Sequence, residues 1–425
     1  MGETTAETIT ATWREESGRL VGALTRMTRD LDLAEDLAQD ALVSALEQWP
    51  TRGIPDNPGA WLMTTARQRA IDTFRRADNL RRKTEELGHR LREGDEVPDL
   101  TAQIDGIEDD VLRLMFMACH PQLTPESRAA LTLRLVGGLT TAEIARAFLS
   151  TESAMAQRIS RAKKLLSDVR AEFELPVGEE RVARLDDVMA VVYLIFNEGY
   201  AATAGSDWMR TELTTEAIRL ARMLAELTPD EPEVHGLQAL LELQASRSAA
   251  RVDAEGRPVL LDDQDRALWD ELLIRRGLAA LERAQVLNAR GKAVGRYYLQ
   301  AAIASVHARA AAPEGTDWRA IATLYDVLAQ AAPGPVVEVN RAVAHGRAFG
   351  PGAGLAVLEK LPDGALAASH LLPSVRADLL ARAGRHAEAA ASFREAASLT
   401  HNESEQVLLL GRAEESERAT SNLRY

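Results

Sequence analysis

A basic stretch near residue 150 carries residue types suited to contacting DNA. Two short segments with helical apolar spacing flank a corner expected at residues 149–151. Thr140 is placed to cap the first helix, and Glu143 stands at the capping-box position. This layout is typical of a helix-turn-helix, whose second helix lies in the major groove of DNA. The side chains expected to be buried are Ile144, Ala145, Phe148, Ala156 and Ile159.

The second helix of this motif supplies the candidate DNA contacts. Its polar and basic side chains are of the kinds that reach base edges and phosphates. The residues expected to face the groove are Ser153, Ala154, Gln157, Arg158 and Arg161, with Lys163 and Lys164 reaching phosphates.

A second basic stretch follows Trp61. Between Trp61 and Arg92 there are nine basic and four acidic residues, in a chain whose formal net charge is −14. Local positive charge supplies phosphate contacts, and a nearby aromatic and polar surface suits the unstacked bases of single-stranded DNA. Taken alone, Trp61 fits a core anchor better than a DNA contact. The candidate DNA-binding residues here are Trp61, Arg67, Gln68, Arg69, Arg75 and Arg76.

An acidic and polar stripe marks the helix predicted at residues 34–46. Asp36, Gln39 and Asp40 are spaced i, i+3 and i+4, which places them on one side of the helix. Leu37 falls on the side facing the interior. By itself, such a stripe is typical of a solvated helix face.

Composition predicts an all-α fold. Hydrophobic residues make up 46% of the 425 residues and aromatic residues only 4%, while Ala and Leu abound, which favours helices packed on helices. Residues 93–110 hold eight acidic and no basic residue and are typical of a tether. We therefore predict two small helical domains at 1–92 and 111–176, joined by the acidic linker 93–110, and a C-terminal helical domain at 177–425.

The C-terminal region has imperfect repeats of about 34 residues, the period of tetratricopeptide (TPR) units. No copy is complete, and a plain helical bundle is the alternative. The residues that match the repeat positions are Ala217, Ala221, Leu224, Pro229, Trp318, Ile321, Ala322, Tyr325, Gly384, Ala389, Phe393 and Ala396.

Several classes of protein are disfavoured. With one cysteine, Cys119, no intrachain disulfide can form, and a reducing cytoplasm is expected. No signal peptide and no membrane span is predicted. The pair Cys119 and His120 lacks the further ligands of a structural zinc site. Because no phosphate-binding loop or catalytic triad is found, we predict no enzyme, no metal and no cofactor.

The acidic helix, the basic helix after Trp61 and the helix-turn-helix, in this order, resemble the extracytoplasmic-function (ECF) sigma factors of bacterial RNA polymerase. The resemblance implies that residues 34–49 bind the β′ clamp helices, that Trp61 to Arg76 melts and reads the −10 element, and that residues 131–166 read the −35 element, with the β flap as a further partner. The family usually has Asn where this chain has Gln68. The polymerase-facing residues so implied are Asp36, Leu37, Gln39 and Asp40.

Residues 116–121, 135–141 and the long tail resemble one subgroup of these factors with a TPR-like extension. The loop at residues 253–266 resembles one shared by that subgroup, although a β-turn on Glu255 and Gly256 is an equal alternative. We interpret the tail as a regulator that binds a protein or a ligand. The candidate regulatory residues are Asp253, Gly256, Arg257 and Pro258.

Two other functions are compatible with parts of the sequence. A transcription activator with a helix-turn-helix and a TPR sensor leaves residues 34–49 and the basic helix after Trp61 unexplained. A scaffold protein would make the TPR region the main actor.

Overall fold

A computed structural model describes most of the chain and divides it into two compact units, residues 1–192 and 193–425. The described residues are 5–87, 107–148, 150–169, 171, 173–200, 211–253, 258–362, 364, 366–367, 369–400 and 403–422. They confirm the all-α fold: the described part contains helices and a single isolated β-bridge between Val252 and Pro258. No helix in the described part is long and apolar enough to cross a membrane.

In the part of the chain that the structure describes, the first unit contains seven helices and the larger part of an eighth. Its helices are α1 (Thr5–Thr28), α2 (Leu31–Arg52), α3 (Pro58–Leu87), α4 (Ile107–Ala118), α5 (Pro125–Leu135), α6 (Thr141–Ala147), α7 (Glu152–Asp168) and α8 (Gly178–Tyr200). The division between the two units falls inside α8. Residues 93–106 of the predicted linker 93–110 lie outside the described residues, and residues 107–110 form the start of α4.

Helices α2 and α3 begin at residues that satisfy free backbone N–H groups. The Asp30 carboxylate accepts hydrogen bonds from the Asp32 and Leu33 backbone N–H groups at the start of α2. The Asn57 side chain accepts one from the Ala60 N–H at the start of α3, where Pro58 has no N–H to satisfy. Pro50 is accommodated in the last turn of α2, which ends at Arg52.

Helix α1 approaches α4 and α5 closely because it carries glycines where they meet. A Cβ atom at Gly22 would lie 2.9 Å from the Asp110 carbonyl oxygen, and one at Gly18 would lie 3.3 Å from the Val136 carbonyl oxygen. The Asp110 side chain is fully buried there and forms ion pairs with Arg26 (3.2 Å) and Arg113 (2.7 Å). These contacts anchor α4, whose first four residues belong to the predicted linker, against α1.

The second unit consists of helical hairpins. Its helices are α9 (Thr211–Leu227), α10 (Pro232–Ala245), α11 (Glu271–Ala289), α12 (Arg296–Arg309), α13 (Trp318–Ala331), α14 (Pro335–Phe349), α15 (Pro351–Leu358), α16 (Leu371–Arg382), α17 (His386–Leu399) and α18 (Glu403–Asn422). Short 3-10 turns lie at Ser248–Ala250, Leu261–Asp263, Arg266–Leu268 and Pro313–Gly315.

The repeat-matching residues lie where helices meet. Gly384 has a φ of +76° in the turn between α16 and α17, a conformation that favours glycine. Ala389, Phe393 and Ala396 are buried in the core that α16, α17 and α18 share. Most of the other matching positions are also buried, which is compatible with TPR-like pairing and with other helical hairpins. The TPR assignment therefore stays a prediction.

The segment at residues 258–270 contains two short 3-10 turns but no α-helix, and its side chains bind several helices of the second unit. The Asp262 carboxylate accepts hydrogen bonds from Arg347 on α14 and Arg382 on α16. Arg266 donates to the carbonyl of His307 (2.7 Å) at the end of α12, and its guanidinium lies 4.7 Å from the centre of the Trp269 ring. Side-chain contacts thus hold this segment in place.

Candidate functional site

The helix-turn-helix forms as expected, from α6 and α7. The Thr140 hydroxyl accepts from the Glu143 N–H (3.2 Å), and the Glu143 carboxylate accepts from the Thr140 N–H (2.8 Å), which completes the capping box. Thr151 caps α7 by accepting from the Ala154 N–H. Burial by itself raises the pKa of Glu143, but the hydrogen bonds from Thr140 and Arg14 outweigh it and hold that pKa below its usual range.

Of the residues of this motif that were expected to be buried, Phe148 is half-buried, and the prediction for Ala156 is wrong. Ala156 is exposed, and Met155 is buried in its place, together with Ile159 and Ala162. Met155, Ile159 and Ala162 are spaced i, i+4 and i+7, so they form the apolar stripe that packs inward. The cap at Thr151 fixes where α7 begins and therefore which residues this stripe contains.

Most of the candidate DNA contacts share the outer face of α7. Arg158 is half-buried, and Lys163 differs from the rest because its side chain is only 17% exposed. The exposed members are Ser153, Ala154, Gln157, Arg161 and Lys164.

The Lys163 ammonium group is bound by two carboxylates of α2. Its Nζ lies 2.8 Å from Asp32 Oδ1 and 2.6 Å from Glu35 Oε2. Burial alone lowers the pKa of Lys163, but Glu35 and Asp32 raise it above its ordinary value, so the group is charged. Glu35 also forms an ion pair with Arg134 on α5 (2.6 Å). Sequence reasoning missed these pairs because their members are distant along the chain.

The predicted polymerase-facing residues of α2 differ in exposure. Asp36 and Asp40 are exposed and Gln39 is half-buried, whereas Leu37 is 4% exposed and packs in the core beneath them. Two exposed apolar residues continue the face, Val43 (49% exposed) and Leu46 (50% exposed). They follow Asp36 and Asp40 at helical spacing, which was the signal that could have identified them.

The basic helix α3 presents a mixed surface. The rings of Trp61 and Trp49 meet edge to face with their centres 5.5 Å apart, and Trp61 is half-buried. Arg69 donates to Asp40 (3.0 Å) and to the Ser44 hydroxyl (2.6 Å) on α2. Arg67 is half-buried. The remaining candidates on this helix, Gln68, Arg75 and Arg76, are exposed.

The surroundings of Cys119 and His120 fit a role in maintaining the fold. The Cys119 thiol is fully buried 3.5 Å from the Thr132 hydroxyl, and burial raises its pKa to about 12. His120 Nδ1 accepts a hydrogen bond from the Gln122 N–H, which stabilises the turn after α4. Among the described residues, no group of His, Cys, Asp and Glu side chains is arranged to hold a metal ion.

The candidate regulatory loop lies partly outside the described residues. Gly256 and Arg257 are not among them. Pro258 pairs with Val252 in the isolated bridge, and the Val259 N–H donates to the Arg251 carbonyl (2.8 Å). The two arms flanking residues 254–257 therefore pair with each other. Asp253 belongs to the first of these arms.

Comparisons with known proteins identify three regions. Residues 12–80 match the model for sigma-70 region 2, residues 113–166 match the model for sigma-70 region 4, and residues 184–285 match a family of unknown function (DUF6596). No solved structure matches the chain.

Relatives fall into two groups. An uncharacterized protein of Rhizobium meliloti is 44% identical over 391 residues, which cover 91% of this chain and 90% of that protein. The probable ECF RNA polymerase sigma factor SigI of Mycobacterium tuberculosis is 27% identical over 175 residues, 41% of this chain and 59% of SigI. The ECF sigma factor SigX of Bacillus subtilis is 28% identical over 146 residues, 33% of this chain and 72% of SigX.

The exposed polar face of α7 and the basic helix α3 are together typical of helical DNA-binding proteins. The chain therefore carries two conserved regions of the sigma-70 family, regions 2 and 4, in order, and it belongs to one family with the uncharacterized Rhizobium meliloti protein along most of its length.

Proposed function

We propose that this protein is an ECF-type sigma factor that binds core RNA polymerase and directs initiation at promoters with specific −10 and −35 elements. The observation that carries the proposal is the exposed polar face of α7, presented on a capped helix-turn-helix. Such a face reads base edges in the major groove. The protein would act in the cytoplasm, where the polymerase is, and the role requires no bond chemistry.

Helices α2 and α3 each have a distinct part in this proposal. Helix α2 presents Asp36, Gln39 and Asp40 to the β′ clamp helices, and the apolar pair Val43 and Leu46 extends this face. Exposed apolar side chains beside charged ones are a common composition for a protein interface. Helix α3 supplies the arginines and Trp61 that would hold the melted −10 strand.

The acidic residues of the linker 93–110, except for Asp110, would lie in the RNA channel and imitate nucleic acid there. Asp110 is excluded because its side chain is fully buried and paired with Arg26 and Arg113. Replacing the other acidic residues of this segment by serine is expected to alter the pattern of abortive transcripts. An unchanged pattern would exclude this role.

Run-off transcription with purified core polymerase tests the proposal. The template is a genomic promoter library, and the readout is promoter-dependent transcripts in the absence of any other sigma factor. Initiation under these conditions supports a sigma factor. Transcripts that require an added housekeeping sigma factor would instead support a transcription activator.

The C-terminal unit is proposed to regulate the first through a protein or ligand bound to its helical hairpins. Its loop of residues 253–266 is the candidate for this contact, because the segment from 258 onward is held by charged side chains of α14 and α16.

A further inference from the structure

Two arginines of the second unit lie beside the same tryptophan ring. Arg247 lies just after the end of α10, while Arg266 begins a short 3-10 turn and Trp269 follows that turn. The guanidinium carbons of Arg247 and Arg266 lie 5.9 Å and 4.7 Å from the centre of the Trp269 ring. The Asp270 N–H donates to the Ser246 carbonyl oxygen (2.8 Å), which holds the two segments together. We call Arg247, Arg266 and Trp269 the arginine–tryptophan cluster.

Neither arginine of this cluster forms an ion pair with a carboxylate in the part of the chain that the structure describes. Arg266 donates to two backbone carbonyl oxygens at the end of α12 and to the Thr316 hydroxyl (3.2 Å). Arg247 donates to the side-chain amide oxygen of Gln244. All of these acceptors are neutral. Because arginine keeps its proton in proteins, two positive charges lie in half-buried positions without a counter-ion.

Two acidic side chains act on Arg266 through their charge but do not pair with it. The Asp262 carboxylate is already bound by two other arginines, and Glu314 is exposed. Burial and then the charge of Arg247 lower the pKa of Arg266, and Asp262 and Glu314 offset this only in part. The two guanidinium groups of the cluster therefore repel each other, and no described carboxylate compensates that repulsion.

The neighbouring His307 shows that the local electrostatic potential is positive. Burial lowers the pKa of His307 most, and Arg247, Arg266 and Arg347 lower it further, to about 4, although Asp262 opposes them. The imidazole is therefore neutral at pH 7. Since nearby positive charges disfavour a further cation and favour an anion, the surroundings of the cluster suit a negatively charged ligand.

Two N–H donors of the cluster lack an acceptor. Trp269 Nε1 and Arg266 Nε are buried and have no hydrogen-bond partner among the described residues. The whole Trp269 residue is only 6% exposed. Indole and guanidinium N–H groups can donate but not accept, and a buried donor without a partner is unfavourable. A ligand that satisfies both donors must therefore present acceptor oxygens.

We propose that the arginine–tryptophan cluster is the binding site for a small molecule that carries a phosphate or diphosphate group. A guanidinium group binds phosphate oxygens through two parallel N–H donors. One such group has enough oxygens to accept from both arginines and from the indole. Arg266 belongs to the candidate regulatory loop of residues 253–266, so the inference gives a chemical class to the proposed ligand of the second unit. Only the effect of this ligand on transcription rests on the proposed function.

Isothermal titration calorimetry of the full-length chain with pyrophosphate tests the inference. The buffer contains no magnesium, and its ionic strength is held constant with sodium chloride. Wild type should bind one pyrophosphate per chain with a saturable isotherm, and Arg247→Gln should bind about tenfold or more weakly, because a charge-assisted hydrogen-bonding group is lost. Arg290→Gln, at an exposed position of the second unit, is the matched control and should bind as wild type does.

Two further titrations examine the kind of anion and the kind of donor. Citrate at the same ionic strength distinguishes carboxylates from phosphates, and binding of citrate as tight as that of pyrophosphate would overturn the assignment to phosphate. Arg247→Lys keeps the positive charge but not the planar pair of donors and should bind with an intermediate affinity. This variant provides the test if Arg247→Gln does not fold.

Thermal unfolding distinguishes a ligand-binding role of Arg247 from a structural one. Without ligand, Arg247→Gln should raise the melting temperature by about 2–4 °C, since it removes an uncompensated like charge; a structural role requires a decrease. Pyrophosphate at one hundred times its dissociation constant should raise the melting temperature of wild type by about 5–10 °C, and that of Arg247→Gln by no more than about half as much.

The binding result and the proposed function can fail separately. No saturable binding by wild type, or equal binding by wild type and Arg247→Gln, would overturn the inference. Because the titration contains no polymerase, that outcome would leave the proposed function intact. Failure of run-off transcription would exclude the proposed function without changing the binding result.

Discussion

At the scale of single residues, Arg161 is the best-placed base-reading side chain. It is exposed on α7, one turn beyond the exposed Gln157. Since a bidentate arginine contact to guanine provides about 1–3 kcal/mol of discrimination, Arg161→Ala should reduce initiation at a promoter with the −35 element by roughly 5- to 150-fold. Run-off transcription measures the change. Arg290→Ala, exposed in the second unit, should have no effect.

Asp36 tests the proposed polymerase face in the same way. It is exposed on α2, beside the buried Leu37. Asp36→Arg reverses the charge without disturbing the core and should abolish binding to core polymerase, measured by a pull-down assay, while the melting temperature is unchanged. Glu282→Arg, an exposed reversal on α11, is the control. Retained binding by Asp36→Arg would show that this face is not the interface.

Exposed positions of α7 were predictable at this scale, whereas charge partners were not. Helical spacing and the cap at Thr151 identify Gln157 and Arg161 as outward-facing from local sequence alone. Lys163 has the same local character, yet it binds Glu35, a residue 128 positions away. Such a pair depends on tertiary packing, which periodicity does not encode.

At the scale of elements, α16 is joined to α18 by a carboxylate that has two arginine partners. Asp378 accepts hydrogen bonds from Arg412 and Arg382, each at 2.7 Å. Burial raises the pKa of Asp378, but the two guanidinium groups outweigh it and lower that pKa below its ordinary value. A carboxylate with a lowered pKa stabilises the fold above its unfolded-state pKa, about 3.9, and this stability is lost as the pH falls through the folded-state pKa.

The prediction concerns the pH dependence of unfolding. The free energy of unfolding should decrease on acidification below about pH 4, and Asp378→Asn should make this decrease shallower and cost about 1–3 kcal/mol at pH 7. Chemical denaturation at several pH values measures both effects. Asp263→Asn, at an exposed position, should keep the wild-type dependence. Equal slopes for Asp378→Asn and wild type would argue against the ion-pair explanation.

The contact between α1 and α4 provides a second prediction, about how closely two helices pack. The Cβ added by Gly22→Ala would lie 2.9 Å from the Asp110 carbonyl oxygen, and such overpacking costs about 1–3 kcal/mol. At Gly411 on α18 there is open space, so Gly411→Ala should stabilise by about 0.5–1 kcal/mol. Thermal unfolding distinguishes the two variants. If Gly22→Ala leaves the stability unchanged, α4 does not pack tightly on α1.

The sequence predicted the helices of the helix-turn-helix but not which helices pack together. Capping residues and apolar spacing predict α6 and α7 closely, since both signals are local. The junction at Gly22 depends on a residue 88 positions later in the chain.

At the scale of the whole molecule, the boundary between the units decides how the tail should be removed. Arg128 pairs with Asp187 (2.8 Å), and Arg184 donates to the Phe116 carbonyl, so the larger, N-terminal part of α8 belongs to the first unit. Truncation after Val192 preserves these contacts, while truncation after Pro176 removes them. The shorter chain should therefore melt at a lower temperature.

Run-off transcription by the two truncated chains tests the role of the tail. If the second unit inhibits, the chain ending at Val192 should be more active than the full chain, and if it is required, activity should be lost. Equal activity of that chain and the full chain would contradict any regulatory role of the tail. The sequence indicated a break at Pro176, because proline and glycine there mark a turn, while the contacts that extend the unit to residue 192 are long-range.

The ion pairs that Glu35 forms with Arg134 and Lys163 have a consequence for how this chain can vary. Glu35 is nearly buried and forms ion pairs with both Arg134 and Lys163, so replacing Glu35 removes the carboxylate partner of Arg134, and replacing either cation leaves the charge of Glu35 less well compensated in a poorly solvated place. A mutation at one position is then tolerated best when another changes with it. In related chains that share this packing, the three positions are therefore expected to covary, although they are far apart in sequence and lie in separate functional regions.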